Sequence, residues 1–218
     1  VHRQRDGKFY VGFAPKVGRV SGNALLRVSE IAEEHGSDRI RTTVDQKLVI
    51  LDIEEERVAS ITAALEDEGF EVEPGTFRRQ VMACTGIEFC KLAIVETKER
   101  AVDLISELEK RLPDFDEPVS INLNGCPNSC ARIQVADIGL KGQLVMNDEG
   151  EQVEGYQIHL GGGMGLSPSF GKKVRGLKTT SKELPDYIER VLLRFQEQKK
   201  DGETFASWVG RAEESDLK

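Results

Sequence analysis

Apolar positions recur along this chain with two periods, and the switches between them mark its elements. Residues 8–13 alternate as a short strand. Ser21 then stands as an N-cap for a helix through Leu25, Leu26, Val28 and Ile31. That helix is expected to stop at His35-Gly36, where glycine takes a left-handed cap and histidine sits near the carbonyl ends. Residues 39–43 and 47–51 form a hairpin-like pair around Val44-Asp45-Gln46. A second helix over 55–68 gathers Val58, Ile61, Ala64 and Leu65 on one side, and Gly69 closes it.

Beyond Glu73-Pro74-Gly75 the pattern restarts. Residues 78–83 run into the first cysteine, and a long helix is expected over 91–112, with Leu92, Val95, Val102, Ile105, Leu108 and Leu112 on one face. Glu96–Arg100 and Glu107–Arg111 are spaced to support it as i,i+4 pairs, and Pro113 ends it. Val119, Ile121 and Leu123 alternate as a strand leading to the second cysteine pair. Strand-like stretches follow at 133–140, 143–147 and 156–160, with Asp148-Glu149-Gly150 as a turn. A Ser181 cap opens a helix through Leu184, Ile188, Val191, Leu192 and Phe195, and a shorter one around 205–212 presents Phe205 and Trp208 to the body. The fold class is therefore α+β. A β-α-β-β-α unit over 1–75 matches a ferredoxin-like half-domain, and a larger α/β domain occupies 76–218.

Composition narrows the chemistry. The 218 residues carry a net charge of −8, which argues against nucleic acid as a partner because a phosphate backbone demands clustered cations. No apolar run is long enough to cross a bilayer and no signal peptide opens the chain, so no membrane partner is expected and a cytoplasmic setting is. The first residue is Val1 and not Met, as in a processed chain or a fragment. One local exception to the acidity stands out. Between Glu154 and Glu183 there is no acidic residue, while Lys172, Lys173, Arg175, Lys178 and Lys182 fall close together. Such a stretch suits an anion or an acidic protein, or else a solvated surface.

All four cysteines lie in two pairs, Cys84 with Cys90 and Cys126 with Cys130. A cubane iron–sulfur cluster needs four thiolates converging from at least two segments. Gly86, Gly125 and Pro127 suit the sharply turned backbone this requires. Structural zinc also takes four cysteines, but its usual pairs are closer than Cys84 and Cys90. Two disulfides or buried inert thiols complete the alternatives, the former disfavoured in a reducing compartment.

The string Ala83-Cys-Thr-Gly-Ile-Glu-Phe-Cys-Lys-Leu-Ala-Ile94, followed by Asn124-Gly-Cys-Pro-Asn-Ser-Cys-Ala-Arg132, resembles the signature of ferredoxin-dependent sulfite and nitrite reductases. Ala136-Asp-Ile-Gly-Leu-Lys-Gly142, His159-Leu-Gly-Gly-Gly163 and Gly18-Arg-Val-Ser-Gly22 are similar to that family too, and nearest to its actinobacterial-type sulfite reductases. The resemblance implies a 4Fe-4S cluster on Cys84, Cys90, Cys126 and Cys130, with the Cys130 sulfur also bridging to the iron of a sirohaem and Asn128 beside that cofactor. It implies six-electron reduction of sulfite to sulfide, or of nitrite to ammonia, with ferredoxin as donor. It also implies that this is the second of two related halves. The cations that clamp the substrate oxyanion belong mainly to the first, so a missing N-terminal half or a second copy is an expected partner. A stand-alone 4Fe-4S electron-transfer module is the other reading of the same residues.

Weaker signals remain. Gly161-Gly-Gly-Met-Gly165 fits neither a phosphate loop nor a dinucleotide fingerprint and instead suits close approach to a flat cofactor. His159 is a candidate for cofactor or substrate contact or a structural histidine, and Arg78 and Arg79 for sirohaem carboxylates or plain surface charge.

Overall fold

The computed structural model describes residues 1–164 and 168–218, which form two compact units, Val1–Arg79 and Gln80–Lys218. In the first, β1 (His2–Arg3), β2 (Phe9–Phe13), α1 (Gly22–Glu34), β3 (Ile40–Thr42), β4 (Leu48–Ile53) and α2 (Val58–Asp67) follow in order. The strands make one antiparallel sheet, β1-β2-β4-β3. Helix α1 begins as expected: the Ser21 hydroxyl accepts the Ala24 amide at 3.1 Å, a cap that contributes about 1 kcal/mol. It ends at His35, whose Nδ1 lies 2.7 Å from the Ile31 carbonyl, with Gly36 at φ 83°. Val28, Ile31, Ile61 and Leu65 bury the inner faces of both helices against Val11, Phe13, Ile50 and Ile53. Strand β1 has no counterpart in the sequence reading, since two residues are too short to show a period.

A one-turn helix α3 (Thr76–Gln80) leads into the second unit. There β5 (Val81–Ala83), α4 (Lys98–Arg111), β6 (Ile121–Asn124), β7 (Ile138–Met146), β8 (Gln152–Leu160), β9 (Lys172–Thr180), α5 (Leu184–Gln198) and α6 (Phe205–Arg211) build a five-stranded sheet in simple sequence order. β5, β6 and β7 are parallel, and β7, β8 and β9 antiparallel. Ile121, Ile138 and Leu160 stand in one cross-strand row and Leu123, Leu140 and Ile158 in the next, all buried. The opposite face carries Met82, Asn122, Gly139, His159 and Lys173 in a single row. Phe205 and Trp208 of α6 close on Phe195 of α5, with Trp208 Nε1 donating to Gln198 Oε1 at 3.0 Å.

Four expectations change. The helix expected from residue 91 starts at Lys98, because the Ile94 and Val95 amides donate to the Gly125 carbonyl instead of to a helical turn. Glu96 therefore precedes α4, and its carboxylate accepts the Glu99 amide at 3.2 Å as a cap, not as an Arg100 pair. Residues 133–135 are a 3-10 turn and not strand; they cross above the sheet, and a Cβ on Gly139 would come within 2.1 Å of the Ile133 carbonyl oxygen. Ser181 caps nothing: α5 starts at Leu184, and Thr180 and Glu183 exchange the hydrogen bonds of that corner.

Lys172, Lys173, Arg175 and Lys178 of the cationic stretch lie on the edge strand β9. Its register jumps, with His159 opposite Lys173 but Gln157 opposite Lys178. The Gln157 amide fills the resulting bulge, donating to the Val174 and Leu177 carbonyls at 3.2 and 3.0 Å. Exposed lysines and a bulge are how an edge strand resists pairing with another chain.

Candidate metal centre

Two adjacent parallel strands deliver the cysteine pairs to one edge of the sheet. β5 ends at Ala83, opposite Leu123 of β6. The Cys84 amide extends the ladder by donating to the Leu123 carbonyl at 3.0 Å, while β6 runs on to Gly125 and Cys126. The carboxyl ends of parallel strands are where α/β sheets bind ligands. Here the two segments touch, for the Gly125 amide donates to Cys84 Sγ at 3.2 Å.

The connection from Cys84 to α4 is held at several points. Gly86 has φ 74°, and a Cβ there would lie 2.4 Å from Thr97 Oγ1, so glycine is required twice over. The Cys90 amide donates to the Gly86 carbonyl at 3.0 Å, and the Ile94 amide to the Gly125 carbonyl at 2.7 Å. The buried Thr97 hydroxyl donates to the Cys84 carbonyl at 2.8 Å. From β8, Tyr156 Oη donates to the Glu96 carbonyl at 2.7 Å and Glu154 accepts the Glu96 amide at 3.2 Å. Burial holds the Tyr156 phenol above its usual range, so it stays a donor at neutral pH.

Two asparagines that the sequence reading passed over hold the second pair. Ile121 and Leu123 point into the core, so Asn122 and Asn124 lie together on the other face. Both are buried. Asn124 Oδ1 accepts the Ala131 amide at 2.6 Å and its Nδ2 donates to the Cys126 carbonyl at 3.4 Å. Asn122 Nδ2 donates to the Ala131 carbonyl at 2.8 Å. The turn they brace places Ser129 and Arg132 at φ 60° and 54°, left-handed conformations that cost roughly 1–2 kcal/mol each without glycine. A Ser129–Gln134 side-chain hydrogen bond and the Arg132 amide on the Ser129 carbonyl at 2.8 Å secure it.

All four cysteines are free thiols, graded in exposure: Cys126 buried, Cys84 and Cys90 half-buried, Cys130 exposed. Asn128 is exposed beside Cys130. Among the described residues no three His, Cys, Asp or Glu side chains are gathered closely enough for a single metal ion. An all-sulfur donor set serves a cluster or a structural zinc; a cubane spreads its thiolates over four irons and so asks for less gathering than one tetrahedral ion does. Around them Ile87, Phe89, Leu92 and Ile94 expose apolar surface.

The weaker candidates fall elsewhere. Arg78 pairs with Glu71, and Arg79 donates to the Pro74 carbonyl at 3.2 Å. Gly163 bridges to Ser169, while Gly165 lies outside the described residues. His159 is half-buried with its Nε2 unpartnered among the described residues, and burial, Lys141 and Lys173 depress its pKa below the ordinary value of 6.5. The imidazole is thus kept neutral. The unfolded chain protonates first as pH falls below about 6.5, so stability present at neutral pH is lost on acidification through that range. Thermal melts at pH 7 and 5.5 are expected to converge in His159→Gln relative to wild type; equal pH sensitivity would remove His159 as a source.

Residues 2–68 match the nitrite/sulfite reductase ferredoxin-like half domain and residues 75–217 the nitrite and sulphite reductase 4Fe-4S domain. The chain is 54% identical to sulfite reductase (ferredoxin) 2 of Mycolicibacterium paratuberculosis and 52% identical to sulfite reductase (ferredoxin) of Mycobacterium tuberculosis, in each case over 100% of this chain and 40% of the relative. It is 36% identical to ferredoxin–nitrite reductase of Synechococcus elongatus, over 88% of this chain and 37% of that one. The solved Mycobacterium tuberculosis NirA protein superposes with a TM-score of 0.95 at 51% identity, over 100% of this chain and 40% of that one. With both segments matched in order, and the cysteines on the second, the chain belongs to the nitrite and sulfite reductase family.

Proposed function

We propose that this chain is the cluster-bearing half of a ferredoxin-dependent sulfite reductase that reduces sulfite to sulfide in six electrons. The observation that carries the reading is the convergence of both cysteine pairs at one sheet edge, with the Gly125 amide on Cys84 Sγ. Cys84, Cys90, Cys126 and Cys130 would hold the 4Fe-4S cluster. Cys130, the exposed member of the four, would present its sulfur to sirohaem, with Asn128 alongside. Bound sirohaem supplies an iron that activates the oxyanion, and the cluster supplies electrons one at a time. Identities of 52–54% to sulfite reductases, against 34–36% to nitrite reductases, favour sulfite; nitrite is the second reading.

The protein's own part is to hold and position. The asparagine-braced turn fixes Cys126 and Cys130, the clamped connection fixes Cys84 and Cys90, and the apolar rim keeps water from the sulfurs once covered. The chain spans 40% of the length of these relatives. The substrate-clamping cations are expected mainly in the remaining length or, failing that, on a second copy. The setting in which four free thiols stay available is the reducing cytoplasm. No helix among the described residues is long and apolar enough to cross a membrane.

Anaerobic reconstitution should load four irons and four sulfides per chain. One zinc with no acid-labile sulfide would end the reading. Viologen-driven assays should give sulfide with the full-length protein and none with these 218 residues alone, because the oxyanion needs preorganised cations, expected mainly in the remaining length. Sustained turnover by the isolated chain would replace the half-enzyme reading with a symmetric site built from two copies.

Lys172, Lys173 and Arg175, exposed on β9, would receive either sirohaem carboxylates or an acidic ferredoxin. With ferredoxin as the occupant, neutralising all three is expected to raise the ferredoxin KM several-fold at low salt and to leave viologen-driven turnover unchanged. The difference should fade as salt shortens the Debye length to about 8 Å at 0.15 M. An unchanged KM at low salt would leave the stretch as plain edge-strand protection.

A further inference from the structure

Thr97 stands at the N-cap of α4, the position where threonine ordinarily accepts an amide of the first turn, yet its hydroxyl makes no such bond. That task has passed to the Glu96 carboxylate, which accepts the Glu99 amide. The threonine oxygen is turned the other way and is fully buried, 2.8 Å from the Cys84 carbonyl and 3.8 Å from Cys84 Sγ. Space for it exists because Gly86 has no Cβ. Its backbone is fixed from β8, where Tyr156 and Glu154 bind the carbonyl and amide of the preceding residue. Several independent constraints thus hold one hydroxyl beside one sulfur.

We propose that Thr97 is a positioning residue that sets the reduction potential of the cluster through Cys84. This rests on the cluster reading above. In the structure the Cys84 thiol donates to Thr97 Oγ1. A thiolate bound to iron has no proton to give, so the sense of this contact reverses and the hydroxyl becomes its donor, with its hydrogen shared between the carbonyl and the sulfur. With the Gly125 amide, Cys84 then faces two donors, one of them on the fully buried Thr97. Reduction adds negative charge to the cluster and its thiolates. Donors aimed at sulfur stabilise that charge and raise the potential, and burial strengthens the effect. Tyr156 and Glu154 act one step further out, by holding the segment that carries Thr97.

The test is an EPR-monitored redox titration of the full-length holoenzyme and its variants. Thr97→Val keeps the shape and removes the hydroxyl; it is expected to shift the one-electron equilibrium about tenfold toward the oxidised cluster, a fall of about 59 mV. Thr97→Ser keeps the hydroxyl and should stay at the wild-type potential. Coincident potentials in Thr97→Val and wild type would overturn the proposal and leave the hydroxyl as a brace for the Cys84 carbonyl. A second measurement serves if Thr97→Val does not retain its cluster. Wild-type protein reconstituted in heavy water should show two exchangeable deuterons coupled near one thiolate in pulsed EPR, and the Gly125 deuteron alone would count against Thr97. Wild type without a cluster signal would instead defeat the cluster reading itself.

Discussion

Cys126→Ser and Cys130→Ser are expected to fail in different ways, and the difference follows from burial. Cys126 is sealed within the turn that Asn124 holds, whereas Cys130 is exposed. A serine at 126 puts a harder, less readily ionised donor where softness decides affinity for iron, and no solvent molecule can easily take its place. That variant should lose the cluster, with iron and sulfide falling close to zero and the visible absorption with them. A serine at 130 removes the sulfur best placed to be shared with a second metal. In the full-length protein it should retain much of its iron but lose the electronic coupling between cluster and sirohaem, so that ferredoxin-driven turnover is abolished. Cys84→Ser belongs with Cys126→Ser and should mainly weaken cluster retention. Mössbauer spectra of the Cys130 variant decide the matter: a pair still coupled would assign the bridge to another residue.

Much of this arrangement could be read from the sequence, and what could not has identifiable causes. Helix α1 was legible because its period, its Ser21 cap and its glycine stop agree. The cysteine pairs were legible because their spacing and flanking residues are specific. The start of α4 was not, since Leu92 and Val95 continue the helical period while the amides of this segment are taken by Gly125, a carbonyl remote in sequence. β9 was hidden because the bulge at Gln157 breaks the alternation by which strands are recognised. Asn122 and Asn124 gave no separate signal because they occupy the polar positions of an alternating strand. What hides them from solvent is the chain's own return past Ala131 and Ile133, which no local pattern announces. Thr97 gave no signal, because the helix expected over 91–112 runs through it, and only the structure shows it before α4 with its hydroxyl on the Cys84 carbonyl.

Asn124→Ala should cost about 2 kcal/mol of stability and most of the cluster's retention, although Asn124 is expected to touch no iron. Its side chain is fully buried and satisfies the Ala131 amide at 2.6 Å; truncation leaves that amide without a partner, a penalty of about 1–3 kcal/mol. For a chain of this size the change corresponds to a drop in Tm of roughly 4–8 °C. The same side chain also holds the Cys126 carbonyl, so its loss frees both ends of a turn that already contains left-handed Ser129 and Arg132. Once free, the turn relaxes toward ordinary dihedrals, and its two sulfurs move from where the other pair needs them. Asn122→Ala is the control. It strands the Ala131 carbonyl, which has two lone pairs and tolerates under-satisfaction better than an amide does. It should therefore lower Tm less and leave iron content near wild type. The measurements are thermal melts together with iron and sulfide content after gel filtration in the presence of a chelator. If Asn124→Ala keeps its cluster as well as Asn122→Ala does, the turn is held by its own backbone and the asparagine is no more than a core residue.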